Sequence, residues 1–243
     1  MNKLYILFQG FGQTINDWNK KPTNFLSKLR KKGTVFIYQN KWIEQHNDYP
    51  LSYLMMDGFI KDVYLNLIKQ IPNAHNFTWI PIGESFGGCF ALTFSIFFKK
   101  QCNCCVLLDN PPYFTLNNNN NRIKMTEVMM GNKFKILTEI QFQKIKQTNP
   151  DYLLDYGVIS FAKFIQKNII GKLLPVKILG FYNIAFPDVY EKEFKINHNS
   201  ALFDEINKLQ KLNNDNYNYY LFVNAGHMIY LDKNAVNSIL EKI

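Results

Sequence analysis

Gly83-Glu84-Ser85-Phe86-Gly87-Gly88 sets a serine midway between two glycines, after the largely apolar run Asn76–Ile82 and at the head of the apolar stretch Phe86–Phe98. A strand that turns sharply into a helix strains the backbone at its central residue. Its flanks must lack side chains for the two elements to pack, so glycines there leave room for a nucleophile held out from the turn. The same turn puts the serine near a helix N-terminus, whose amides favour developing negative charge. A serine hydroxyl is inert at neutral pH without a base. Of His46, His75, His198 and His227, only His227 follows an apolar strand pattern, Tyr217–Val223, in the phrase Asn224-Ala225-Gly226-His227-Met228. That position lies beyond the C-terminal end of a strand, on the sheet edge that also carries Ser85.

An imidazole base needs an acid to hold its tautomer. Asp188, after the strand pattern Val176–Phe181, gives the chain order serine, acid, histidine and is the preferred acid. Asp109, closing Cys104–Leu108 on the same edge, is the alternative. A tetrahedral oxyanion calls for two backbone donors. The N–H of Phe86, next to the nucleophile, is one; the N–H of Phe11 is chosen as the other. It lies in Gln9-Gly10-Phe11-Gly12-Gln13, where Gly10 and Gly12 allow the backbone to approach a substrate carbonyl.

The elements that would position these groups alternate along the chain. Strand patterns cover Leu4–Phe8, Thr34–Tyr38, Asn76–Ile82, Cys104–Leu108, Val176–Phe181 and Tyr217–Val223. Between them, helical spacing of apolar residues covers Thr23–Lys32, stopped by Gly33, then Ser52–Ile71, Phe86–Phe98 and Ala201–Leu212. A closing helix, Asp232–Ile243, has Asp232 as its N-cap. Continuous apolar strands alternating with helices predict an α/β fold: a six-stranded, mostly parallel sheet with helices on both faces. Residues 110–172 interrupt the pattern with helical periodicity and no strand, so the core divides into 1–109 and 173–243 around a helical insertion.

Composition narrows the classes. At 243 residues, with 47% hydrophobic and 16% aromatic residues, the chain can fill one sizeable core; 19% charged residues are too few for a disordered chain. Its apolar runs fall short of a membrane span, and the N-terminal MNKLYILFQG lacks the features of a secretory signal, so a soluble, cytoplasmic protein is the expectation. The net charge of +9 comes from clusters such as Lys28, Arg30, Lys31 and Lys32 at the end of a helical pattern, where cations are favoured anyway. No interleaving of basic and aromatic residues marks a nucleic-acid surface. Cys102, Cys104 and Cys105 crowd into one strand pattern and, like Cys89, are read as apolar filler rather than disulfide or metal ligands.

Taken together, Gly10-Phe11-Gly12 after the first strand with Trp18 downstream, Gly83–Gly88, and Gly226-His227 before a final helix resemble the α/β-hydrolase superfamily. The likeness runs over nearly the whole chain, with the motifs in the family's order. Gln9 stands where the family often has histidine, and the chain opens directly on the oxyanion strand without the family's usual two antiparallel strands. The resemblance implies that 110–172 is a helical cap, or lid, lining the pocket. Gly10, Gly12, Pro112, Tyr113 and Met129 are then the expected substrate contacts. It implies a serine hydrolase that cleaves a carboxylic ester through an acyl-enzyme, with Ser85, His227 and Asp188 or Asp109 as the triad and with no cofactor or metal. The phrases Gly83–Cys89 and Leu107–Pro111 look like plant-type lipid esterases and acyltransferases of this fold, pointing to a small-molecule acyl ester or thioester. The alternatives are an acyltransferase on the same triad and a non-catalytic binding protein of this fold that holds an apolar ligand.

Overall fold

The computed structural model describes residues 2–10, 13–40, 56–109, 139–148, 157, 164, 168, 173–184, 206–207, 209–213, 216–223 and 225–243. Six strands, β1 (Lys3–Phe8), β2 (Thr34–Tyr38), β3 (Thr78–Glu84), β4 (Cys104–Leu108), β5 (Lys177–Asn183) and β6 (Tyr217–Phe222), form one sheet in the order β2-β1-β3-β4-β5-β6. Every pairing is parallel, where the sequence predicts a mostly parallel sheet. The chain first steps outward from β1 to β2, then returns to place β3 on the other side of β1. That reversal makes a topological switch point at the C-terminal ends of β1 and β3, where open α/β sheets place their ligands.

Alternation along the strands sends side chains into two cores. On β1, Leu4, Ile6 and Phe8 enter one core and Tyr5 and Leu7 the other. The first core is completed by Phe59, Ile60, Val63 and Leu67 of α2 (Met56–Gln70) and by Phe90, Ala91 and Phe94 of α3 (Gly87–Phe97). The second is completed by Phe25, Leu26 and Leu29 of α1 (Phe25–Lys32) and by Ala235, Val236 and Ile239 of the C-terminal helix. A strand buried on both faces has no reason to alternate apolar with polar, which is why β1 and β4 read as unbroken apolar runs. Cys89, Cys102, Cys104 and Cys105 are buried thiols, none of them in a disulfide; burial pushes Cys102 up to about 12 and Cys104 to about 11.

Gly33 ends α1 as expected, its N–H donating to Leu29 O at 3.1 Å, but its backbone is extended. A Cβ at Gly33 would lie 2.6 Å from Lys3 O, so glycine is required there by the close approach of β1 rather than by a left-handed turn. Within residues 110–172, the structure describes α4 (Glu139–Thr148) and residues 157, 164 and 168. Phe142 is buried in the first core, and Phe164 stacks on Phe97 of α3 with ring centroids 5.3 Å apart. The last helix, α5 (Lys233–Lys242), begins at Asp232, whose carboxylate accepts from the Ala235 N–H at 2.8 Å. No helix among the described residues is long and apolar enough to cross a membrane.

Candidate active site

Ser85 sits between the end of β3 and the start of α3 with φ = 51°, in the left-handed region that non-glycine residues avoid. Its N–H donates to Leu108 O on β4 at 2.9 Å, and its carbonyl accepts from the Gly88 N–H at 3.0 Å, so both ends of the strained peptide are fastened. The glycines act as the spacing requires. A Cβ at Gly83 would fall 2.1 Å from Gly87 O, and one at Gly87 would fall 2.3 Å from Phe8 O and 2.6 Å from Gln9 O. These are backbone atoms that no side-chain rotation can move. Phe86 follows the serine in helical conformation, its ring edge-on to Phe90 at 5.0 Å.

The loop after β1 closes on the same turn. A Cβ at Gly10 would lie 2.5 Å from Glu84 Oε2 and 3.0 Å from Ser85 Cβ. The Gly10 N–H donates to Gln13 Oε1 at 2.8 Å, and Gln9 Nε2 donates to Gln13 O at 3.2 Å. Phe11 and Gly12, expected in the oxyanion loop, lie outside the described residues, as do Pro112, Tyr113 and Met129 among the expected substrate contacts.

His227 follows β6 one residue after Gly226, whose φ of 76° glycine accommodates without strain. Its Nδ1 lies 2.6 Å from Asp109 Oδ2. Asp109 immediately follows β4 with φ = 48°; its N–H donates to Phe181 O at 2.8 Å, and its Oδ1 accepts from the Asn183 N–H at 2.9 Å. One carboxylate oxygen is therefore fixed by β5, leaving the other aimed at the imidazole. Asp188, the preferred acid from the chain order, lies outside the described residues; Asp109, the alternative, is the acid that meets His227. Of the other histidines, His75 lies at the opposite end of β3, ring against Tyr64 and Trp79, away from this edge. His46 and His198 are outside the described residues.

Burial alone would lower the His227 pKa and is the largest influence on it. The hydrogen bond to Asp109, with the charges of Glu84 and Asp109, outweighs burial and holds the value above the ordinary 6.5. The imidazole is thus more basic than a solvated one, and its Nε2 lies 3.7 Å from Oε1 of Glu84, the residue before Ser85.

Glu84 and Gln13 belong to this site, and the sequence reading assigned neither a role. Glu84 is fully buried, and its Oε2 accepts a hydrogen bond from Gln13 Nε2. Burial drives its pKa from the ordinary 4.5 to about 8. His227 and Gln13 oppose that rise, and the charges of Asp109 and Asp17 reinforce it. The available signal was a carboxyl at the end of a strand whose preceding residues are apolar, a place where an ionisable group is rarely tolerated without a purpose.

No family model matches the chain, and no match is found among curated protein sequences. Solved structures do match over essentially its full length. An α/β-hydrolase from the sediment metagenome of the Mar Chica lagoon, Morocco, aligns at a TM-score of 0.57 with 13% identity, covering 100% of this chain and 90% of that one. A marine microorganism esterase aligns at 0.57 with 14% identity, covering 100% and 96%. The epoxide hydrolase CorEH aligns at 0.51 with 13% identity, covering 99% and 90%. The protein has the α/β-hydrolase fold, and its sheet order and strand-to-helix serine turn agree with that.

Proposed function

We propose that the protein is a serine hydrolase of carboxylic esters or thioesters, with Ser85 as nucleophile, His227 as base and Asp109 as the acid that orients it. The observation that carries this reading is the placement of one imidazole. Its Nδ1 is on a buried carboxylate at 2.6 Å, and its Nε2 is 3.7 Å from a side-chain oxygen of Glu84, the chain neighbour of a strained serine. Asp109 can accept from Nδ1–H, which leaves the Nε2 lone pair for the serine proton.

Ser85 Oγ attacks the carbonyl carbon as His227 Nε2 takes its proton. The Phe86 N–H, with that of Phe11 from the β1 loop, holds the oxyanion of the tetrahedral intermediate. Collapse breaks the ester C–O bond or the thioester C–S bond, and His227 returns the proton to the leaving alcohol or thiol, respectively. Water then attacks the acyl-enzyme, giving its proton to His227, and the acid departs as Ser85 recovers its hydrogen. Neighbours of this fold include an esterase and an epoxide hydrolase. A serine rather than a carboxylate on the turn favours acyl transfer here.

The test is p-nitrophenol release from acetyl, octanoyl and palmitoyl esters, alongside fluorophosphonate labelling, for wild type and Ser85→Ala. Turnover and labelling should both vanish in the variant, and the preferred chain length sizes the pocket. A folded wild-type protein that neither labels nor turns over any ester refutes the reading and favours a binding protein of the same fold.

A further inference from the structure

Two carboxyl groups flank His227, and only Asp109 is used by the triad. Glu84 approaches the other side of the ring: its Oε1 lies 3.7 Å from Nε2, too far for a hydrogen bond but within ion-pair range, and has no hydrogen-bond partner among the described residues. Its Oε2 is held by Gln13 Nε2, while the Oε1 atom of the same Gln13 side chain accepts from the Gly10 N–H at 2.8 Å. One glutamine thus ties the loop after β1 to the carboxyl beneath the nucleophile. Gly10 is part of that fit, because any side chain there would strike Glu84 Oε2.

We propose that Glu84 is a positioning residue of this site: through Gln13 it fixes the oxyanion-side loop, and through its free oxygen it sets the basicity of His227. This rests on the serine-hydrolase reading. With Oε2 accepting from Gln13, a proton on Glu84 resides on Oε1 and leaves no negative charge beside His227 Nε2. Once that proton leaves to solvent, the carboxylate faces Nε2 instead and favours the imidazolium formed when Ser85 gives up its proton. The change is one of charge beside the base; no bond to substrate is involved.

The groups facing Glu84 are His227 after β6, Asp109 after β4, and Asp17 and Gln13 after β1. Tyr230 closes the set, its hydroxyl 3.5 Å from Gln13 Nε2 and its own ionisation pushed up by burial and by the charges of Glu84 and Asp17. Against His227 lie Asp109 and Glu84 alone among the described ionisable groups that shift it.

The experiment is the rate of Ser85 labelling by a fluorophosphonate between pH 5 and 10, for wild type, Glu84→Gln and Gln13→Ala. Wild type should show two inflections, one from His227, raised above its ordinary value, and a second near pH 8 from Glu84. Glu84→Gln keeps the shape and the acceptor for Gln13. It should lose the second inflection and leave that of His227 alone, because the only carboxylate that ionises beside Nε2 is gone. Gln13→Ala removes a hydrogen bond that favours ionised Glu84, so its second inflection should move to higher pH. A Glu84→Gln profile superimposing on wild type overturns the proposal while leaving the serine-hydrolase reading intact. If Glu84→Gln does not fold, an unmoved second inflection in Gln13→Ala overturns it equally. A wild type that never labels refutes the serine-hydrolase reading and this inference with it.

Discussion

Asp109→Asn isolates the acid of the site with almost no change of shape. The Asp109 side chain has two fixed neighbours, the Asn183 N–H on Oδ1 and His227 Nδ1 on Oδ2. An asparagine can keep its oxygen toward the Asn183 N–H, in which case its amino group faces Nδ1. The ring must then accept at Nδ1 and carry its proton on Nε2, the nitrogen that has to receive the Ser85 proton. The opposite orientation sets two N–H donors against each other at Asn183 in a buried site, at a cost of about 1–3 kcal/mol. The first orientation therefore wins, and the base is locked in the wrong tautomer. In a serine protease the equivalent change lowers kcat by about 10⁴, which corresponds to roughly 5.5 kcal/mol of barrier. The assay is the rate of fluorophosphonate labelling of Ser85 together with p-nitrophenyl ester turnover, in wild type, Asp109→Asn and Asp188→Asn. The expected result is a loss on the order of 10³–10⁴ for Asp109→Asn and a near wild-type rate for Asp188→Asn. In whatever activity remains, the His227 inflection should fall to lower pH, since the hydrogen bond and charge of Asp109 both raise it. An Asp109→Asn rate within about tenfold of wild type, with the loss appearing in Asp188→Asn instead, refutes the assignment.

Other perturbations read the strain and burial around the same turn. Ser85→Gly should abolish labelling yet raise the unfolding free energy by about 1 kcal/mol, because glycine takes φ near 51° without a Cβ penalty; urea unfolding measures it. Gly87→Ala should destabilise by at least about 2 kcal/mol, since its methyl would meet the backbone carbonyls of Phe8 and Gln9. Glu84→Gln should gain thermal stability relative to wild type as pH rises. The folded pKa of Glu84, about 8, lies above the ordinary 4.5, so its contribution is intact below pH 4.5 and is lost on climbing through pH 8. The full displacement is worth on the order of 5 kcal/mol, and a melting-temperature difference that stays flat from pH 5 to 9 would contradict it.

The inner strands β1, β3, β4 and β5 were legible from sequence because they are largely buried on both faces and read as apolar runs, while the half-buried edge strands β2 and β6 showed as β-branched and aromatic segments. Their C-terminal limits were less so. The sequence pattern ends the third strand at Ile82, but β3 continues through Gly83 and Glu84, which pair with Leu107 and Leu108. Likewise Tyr182 and Asn183 extend β5 by pairing with Leu221 and Phe222 of β6. Those residues are drawn into the sheet by a neighbour's register, which has no local signature. The extra length matters, because Asn183 then supplies the N–H that fixes Asp109.

Ser85 and His227 were readable because their constraints are local: glycines around a tight turn, and a Gly-His pair directly after a strand. The partner of His227 was not, since two aspartates follow strands on the same edge and chain order favours Asp188. Asp109 and His227 are 118 residues apart, and only the adjacency of β4, β5 and β6 brings them to 2.6 Å. The link between Gln13 and Glu84 spans 71 residues for the same reason, through the neighbouring ends of β1 and β3. Sequence by itself determined most of the strands and the serine turn, because turn sterics and burial leave marks within a few residues. Tertiary structure decided which acid faces the base and that a second carboxyl lies buried beneath it, because proximity between distant strand ends is a property of sheet order alone.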